Sequence, residues 1–173
     1  MSFLQSILLI IAFNVLLPLK INDCDIVERN GSGNKPDTIE VTITMDDYRF
    51  EPDTLQLETY DVIVLKFINK GTVPHGFIAG ELVSAARDGF NQSMFEGVEV
   101  QKTVGSQTMT TIPENSGQLH DAIITLGPEE TGRLVFTLPN KNAGVWWIGC
   151  FESSGEMTHY QLGMRGLVLV EPD

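Results

Sequence analysis

From Thr38 onward the chain alternates. Ile39, Val41, Ile43 and Met45 are separated by Glu40, Thr42 and Thr44, a period of two residues that places apolar side chains on one face of a half-buried strand. The pattern recurs in short pieces. Tyr48 and Phe50 lead to Pro52, Leu55 and Leu57 follow, and residues 61–69 (DVIVLKFIN) form a nearly continuous apolar run suited to a central strand covered on both faces. Asn69-Lys70-Gly71 ends that run as a turn. Further strand-like runs are TGRLVFTLP (131–139), AGVWWIGC (143–150) and MRGLVLVE (164–171). Between 80 and 126 the pattern weakens into a mixture of helix-compatible sequence, loop and one short strand. No long window shows the 3.6-residue period of an amphipathic helix. The expected fold is an all-β sandwich of about seven to eight strands.

At 173 residues the chain fits one domain with a short appendage, long enough to bury a core without disulfides. Its 23 acidic and 11 basic residues give a formal net charge of -12, which disfavours nucleic acid and anionic membrane surfaces and favours a basic protein partner. The first twenty residues, MSFLQSILLIIAFNVLLPLK, carry a single charge at Lys20. They read as a signal peptide or an N-terminal membrane anchor, with residues 3–19 as the apolar stretch. Either assignment puts the rest of the chain in an extracytoplasmic compartment, periplasmic or at the cell surface. Residues 21–37, ending in RNGSGNKPD, read as a linker, and 38–173 as the folded domain.

The chemistry gathers in the tail. Cys150, His159 and Met164 fall in that order, in a chain with only three histidines and two cysteines. Thiolate, imidazole and thioether together form the ligand set of a mononuclear copper electron-transfer site. A fourth ligand must come from elsewhere, and His75 follows a strand and a turn-forming Pro74. His120, in GQLHDA, lacks such a context and is expected at the surface. Met157 competes with Met164 for the axial place but lacks the Gly-Met-x-Gly entry to a strand. Cys24 lies beside the hydrophobic segment, and a Cys24–Cys150 bridge would consume the thiolate, so no disulfide is expected. Side chains of Trp146 and Trp147 must point to opposite faces of their strand. Both are expected to be packed.

Several motifs occur together in one order: Y-x-F-x-P (48–52), the run ending at Asn69, P-H-x-F (74–77), L-G-P-E-E-T followed by F-T-L-P, and Cys150…His159-x4-Met164-x-Gly166. In this the chain, over about residues 38–172, resembles the cupredoxins, the small type 1 blue copper proteins, with an ending similar to rusticyanin-like and sulfocyanin-like members. The resemblance implies a Greek-key β-sandwich and a single copper ion, cycling between Cu(I) and Cu(II), held by His75, Cys150, His159 and Met164. It also implies an electron carrier rather than an enzyme, exchanging electrons with redox proteins such as a basic cytochrome c or a membrane oxidase. Two features depart from the family. The gap between Cys150 and His159 holds eight residues and carries Glu152 and Glu156, which near a metal would favour Cu(II) and lower its potential. The stretch after His75 is also long, and is expected to form a lid or docking surface over the site.

Two other classes fit parts of the same pattern. A domain related to oxidase subunit II would need a second cysteine where this chain has Ser154. A copper carrier or chaperone would bind the ion without reversible redox cycling.

Overall fold

In a computed structural model of the chain, residues 36–113 and 123–173 are described. The hydrophobic segment, the linker as far as residue 35, Cys24 and His120 lie outside the described residues. The alternating run becomes β1 (Thr38–Asp46), with Ile43 and Met45 wholly buried. A tight turn leads into β2 (Arg49–Glu51), and β3 (Thr54–Glu58) turns Leu55 and Leu57 inward. The apolar run is β4 (Val62–Asn69). Next come β5 (His75–Val83), β6 (Phe90–Ser93), β7 (Val100–Val104), β8 (Gln107–Thr111) and β9 (Ile124–Leu126). The chain closes with β10 (Thr131–Phe136), β11 (Gly144–Gly149), the short β12 (Ser153–Ser154) and β13 (Met157–Thr158), and β14 (Arg165–Glu171).

These strands make two facing sheets. One has the order β2-β1-β4-β10-β7-β8 and the other β3-β14-β11-β5-β6, with β9 pairing the start of β5. β4 is central as its apolar run requires, parallel to β1 and antiparallel to β10. Ile43, Met45, Leu65, Phe67 and Leu134 from the first sheet meet Leu57, Phe77, Trp146, Ile148 and Val168 from the second in one core. Burying each such large aliphatic or aromatic side chain contributes about 1.5–3 kcal/mol.

The all-β sandwich stands, and its strand count rises because short strands appear where the pattern was weak. Among the described residues, the stretch after β5 contains strands and no helix. Among the described residues of this stretch, β6 extends the second sheet and the β7–β8 hairpin extends the first, while Phe90 packs edge-on against Phe151 and Tyr160 of the loop between Cys150 and Met164. Its strands are polar and β-branched, VQKTV and QTMTT, around a two-residue turn that starts at Gly105 with φ 57. Every residue of β8 is exposed, so no alternation marked it. Trp146 is buried and donates its Nε1–H to the Asn142 carbonyl at 2.8 Å. Trp147 is 43% exposed, against the packing expected of it. It lies between Gly80 and Leu167 in the register of its sheet, on the face opposite buried Trp146.

Candidate metal centre

β11 runs antiparallel to both β5 and β14, so its end meets their beginnings. Cys150 follows β11, His75 opens β5 and Met164 immediately precedes β14. Residues separated by 75 and 14 positions in the sequence are thereby gathered at one end of the second sheet by strand direction alone. The backbone then fixes the tail. Cys150 N–H donates to the Met164 carbonyl at 3.1 Å, and Met164 N–H to the His159 carbonyl at 2.9 Å.

The eight-residue gap has a simple structural form. Ser153–Ser154 pairs with Met157–Thr158 as a hairpin turning at Gly155, whose φ is 67. At its base His159 N–H donates to the Glu152 carbonyl at 2.8 Å, which closes the loop before the hairpin begins. Without the hairpin only Phe151 and Glu152 would separate Cys150 from His159. The departure from the family spacing is therefore an excursion from the ligand loop and does not stretch it.

His75, Cys150 and His159 form one buried cluster, the three side chains 0%, 0% and 2% exposed. Cys150 Sγ lies 3.4 Å from His159 Nδ1 and 4.0 Å from His75 Nδ1, and the two Nδ1 atoms are 3.1 Å apart. A point equidistant from these three atoms is about 2.1 Å from each, the length of a first-row metal–imidazole bond. The Met164 side chain is fully buried, with its backbone bonded to both neighbouring candidates. Met157, the rival, is 42% exposed on the hairpin.

The electrostatics suit a soft cation. Burial pushes the Cys150 thiol up to about 11, against the opposing pull of N–H donors from Gly76, at 3.2 Å, and Glu152. Burial lowers His75, partly offset by Asp47, and burial with the neighbouring His75 lowers His159. Two imidazoles held neutral and a thiol that needs a positive charge to ionise fit a soft N/S-binding metal.

Sequence reasoning missed the turn after β1. Asp47 Oδ1 lies 3.4 Å from His75 Nε2, and the Tyr48 ring meets His159 edge-on with centroids 5.0 Å apart. Tyr48 has φ 65, a left-handed conformation that breaks strand alternation and lets two successive side chains reach the same site. The Tyr48 hydroxyl is 3.3 Å from Ser154 Oγ, which ties the hairpin to this turn. The signal available in the sequence was the Asp46-Asp47-Tyr48 turn before Y-x-F-x-P, but nothing local says which way a turn will face.

A sandwich of this topology with a His–Cys–His cluster at one end is cupredoxin-like. No protein-family model matches the sequence, and no curated protein matches it. Among solved structures the chain is similar to auracyanin B, at 19% identity and a TM-score of 0.49, over 82% of this chain and 94% of that one. It is likewise similar to auracyanin A, a "blue" copper protein from Chloroflexus aurantiacus, at 20% identity and a TM-score of 0.48, over 78% of this chain and 99% of that one. A multicopper oxidase from Campylobacter jejuni aligns at 14% identity and a TM-score of 0.46, over 82% of this chain but 31% of the oxidase. At such identities the likeness is one of fold, and the chemistry belongs to this chain's own residues.

Proposed function

We propose that the protein is a mononuclear type 1 copper protein that transfers single electrons between redox partners. His75 Nδ1, His159 Nδ1 and Cys150 Sγ would hold the ion, with the Met164 thioether as a fourth, weaker donor. The carrying observation is the buried triangle of those three donor atoms, with edges of 3.1, 3.4 and 4.0 Å. Copper bound there supplies a one-electron couple. The protein's part is to hold the donors on strand ends so that they move little between oxidation states, to exclude water by burial, and to temper the thiolate with the Gly76 N–H. On this reading the protein acts as a carrier rather than an enzyme.

Adding Cu(II) to the reduced protein should give intense thiolate charge-transfer colour, a mononuclear paramagnetic signal and a reversible one-electron wave. Cys150→Ser should abolish the colour while leaving the fold intact. A multiline mixed-valence signal would point to a binuclear centre, and bound copper without a redox wave to a copper carrier; either result rejects this reading.

Its partners are basic redox proteins, such as a basic cytochrome c or a membrane oxidase, since the net charge of -12 attracts them from solution. Electron exchange with a cationic partner should slow as salt is added, and a rate independent of ionic strength would count against such docking. The location is extracytoplasmic, in line with the apolar stretch at residues 3–19 acting as a signal or anchor. Recovery of the protein only from the cytoplasmic fraction of its cells would reject that placement.

A further inference from the structure

The turn after β1 and the turn after β4 meet at the back of His75, on the side away from the ligand triangle. Asp47 presents its carboxylate there, with Oδ1 at 3.4 Å from Nε2. That carboxylate is not free to swing away. Thr72 N–H donates to Oδ1 at 2.9 Å, and the Thr72 hydroxyl donates to Oδ2 at 2.8 Å, so both oxygens are fixed. The Thr72 turn is itself anchored by Asn69, fully buried at the end of β4. Asn69 donates through Nδ2 to the carbonyls of Val73 and Leu126, both at 2.9 Å, and accepts the Gly71 N–H at 2.9 Å.

Gly71 carries an independent mark of the same arrangement. A Cβ built there would fall 2.5 Å from Asp47 Oδ1 and 2.5 Å from His75 Nε2. The backbone at 71 is packed directly against the carboxylate–imidazole contact, leaving no room for any side chain. Asn69, Gly71, Thr72 and Asp47 thus form a built cradle for one ring nitrogen, and the Asp47 carboxylate reaches the surface from it.

We propose that Asp47 is a positioning residue for the metal centre, accepting the Nε2–H of His75 and thereby holding Nδ1 unprotonated toward Cys150 and His159. An imidazole is a ligand only through its unprotonated nitrogen, and the hydrogen bond made by the other nitrogen decides which one that is. A carboxylate partner fixes ring orientation and makes the ligating nitrogen more basic, and losing such partners weakens metal binding by about 10- to 100-fold. Asp47 also sets a negative charge on the far side of a ligand, which favours the more positive oxidation state. This inference rests on the metal-site reading above, yet its first consequence needs no metal.

Nitrogen-15 spectra of the metal-free protein report the His75 tautomer directly. The native protein should show Nε2–H alone. Asp47→Ala should give a mixture of tautomers, and Asp47→Asn, which keeps an acceptor oxygen, should restore Nε2–H. Thr72→Val, which frees one carboxylate oxygen without touching the histidine, should fall between the native protein and Asp47→Ala. Zinc, redox-silent and at home in N/S sites, should bind Asp47→Ala about 10- to 100-fold more weakly, with Asp47→Asn close to the native value. In copper-loaded protein Asp47→Asn should raise the potential, a tenfold loss of preference for Cu(II) reading as about 59 mV. An unchanged tautomer in Asp47→Ala, or zinc affinity equal in all four proteins, overturns the proposal. If the tautomer and the zinc affinity respond but copper gives no colour or redox wave, the positioning role stands and the electron-transfer reading falls.

Discussion

Glu152 and Glu156 share a loop but not a relation to the metal centre. Glu152 acts electrostatically on both His75 and Cys150, and its carbonyl accepts the His159 N–H. Glu156 is exposed at the turn of the β12–β13 hairpin. Glu152→Gln in the copper-loaded protein should therefore raise the reduction potential by tens of millivolts, which is roughly a several-fold change in the Cu(II)/Cu(I) preference. Glu156→Gln should move it much less. Cyclic voltammetry of the two variants checks this, and equal shifts would defeat the distinction. From the sequence the two carboxylates looked alike, because a loop of eight residues gives no sign that six of them form a separate hairpin. The three residues that cluster, His75, Cys150 and His159, drew notice in the sequence because Cys and His are scarce there, with Cys150 ending a strand-like run and His75 following one. Asp47 did not, because aspartates are common in turns, and its role depends on a positive φ at Tyr48 that no sequence pattern records.

At the scale of elements, the ligands depend on how β14 lies against β3. The two strands are parallel, with Leu167 opposite Thr54, and Leu167 N–H donates to the Asp53 carbonyl at 2.8 Å. Gly166 sits directly over that carbonyl: a Cβ there would lie 1.9 Å from the Asp53 oxygen. The glycine two places after Met164 thus permits a close strand approach, which is a packing reason for the Met-x-Gly ending. Gly166→Ala forces backbone against backbone, and should cost about 2–3 kcal/mol, the upper part of the usual range for overpacking. Denaturant unfolding of metal-free protein measures this, and an unchanged midpoint would mean that β14 has room to shift. The same scale explains what patterning could reveal of the fold. β1, β4 and β14 bury alternate or nearly all residues and announced themselves, whereas β8 at the sheet edge and β7 beside it are polar strands whose β-branched residues carry only a weak preference.

The whole sandwich treats its metal end as interior, and that choice has a pH signature. In the metal-free protein Cys150 is raised from 9.0 to about 11, so folding disfavours its ionisation. Its contribution to stability is complete below pH 9 and is lost as pH climbs toward 11, because the unfolded chain ionises first. The loss is on the order of 2 kcal/mol, since each tenfold change in an acid dissociation constant is worth about 1.4 kcal/mol. His75 and His159 are both lowered from 6.5, so their contribution is complete above that value and is lost as pH falls through their folded values. The metal-free protein should therefore be most stable between about pH 6.5 and 9, with a limb falling away on each side. A bound metal inverts the alkaline limb. It holds the thiolate by coordination, so loading near neutral pH should release the Cys150 proton, and the loaded protein should keep its stability toward pH 11. On the acid side the loaded protein should lose its advantage more steeply, since protons compete for all three donor atoms. Urea midpoints from about pH 5 to 11, with and without metal, measure both limbs. Cys150→Ser isolates the thiol from every other alkaline group, because only the part of the alkaline limb that vanishes in this variant belongs to Cys150. If that limb is the same in native and Cys150→Ser proteins, the thiol is not held in the low-dielectric setting that makes it wait for a cation.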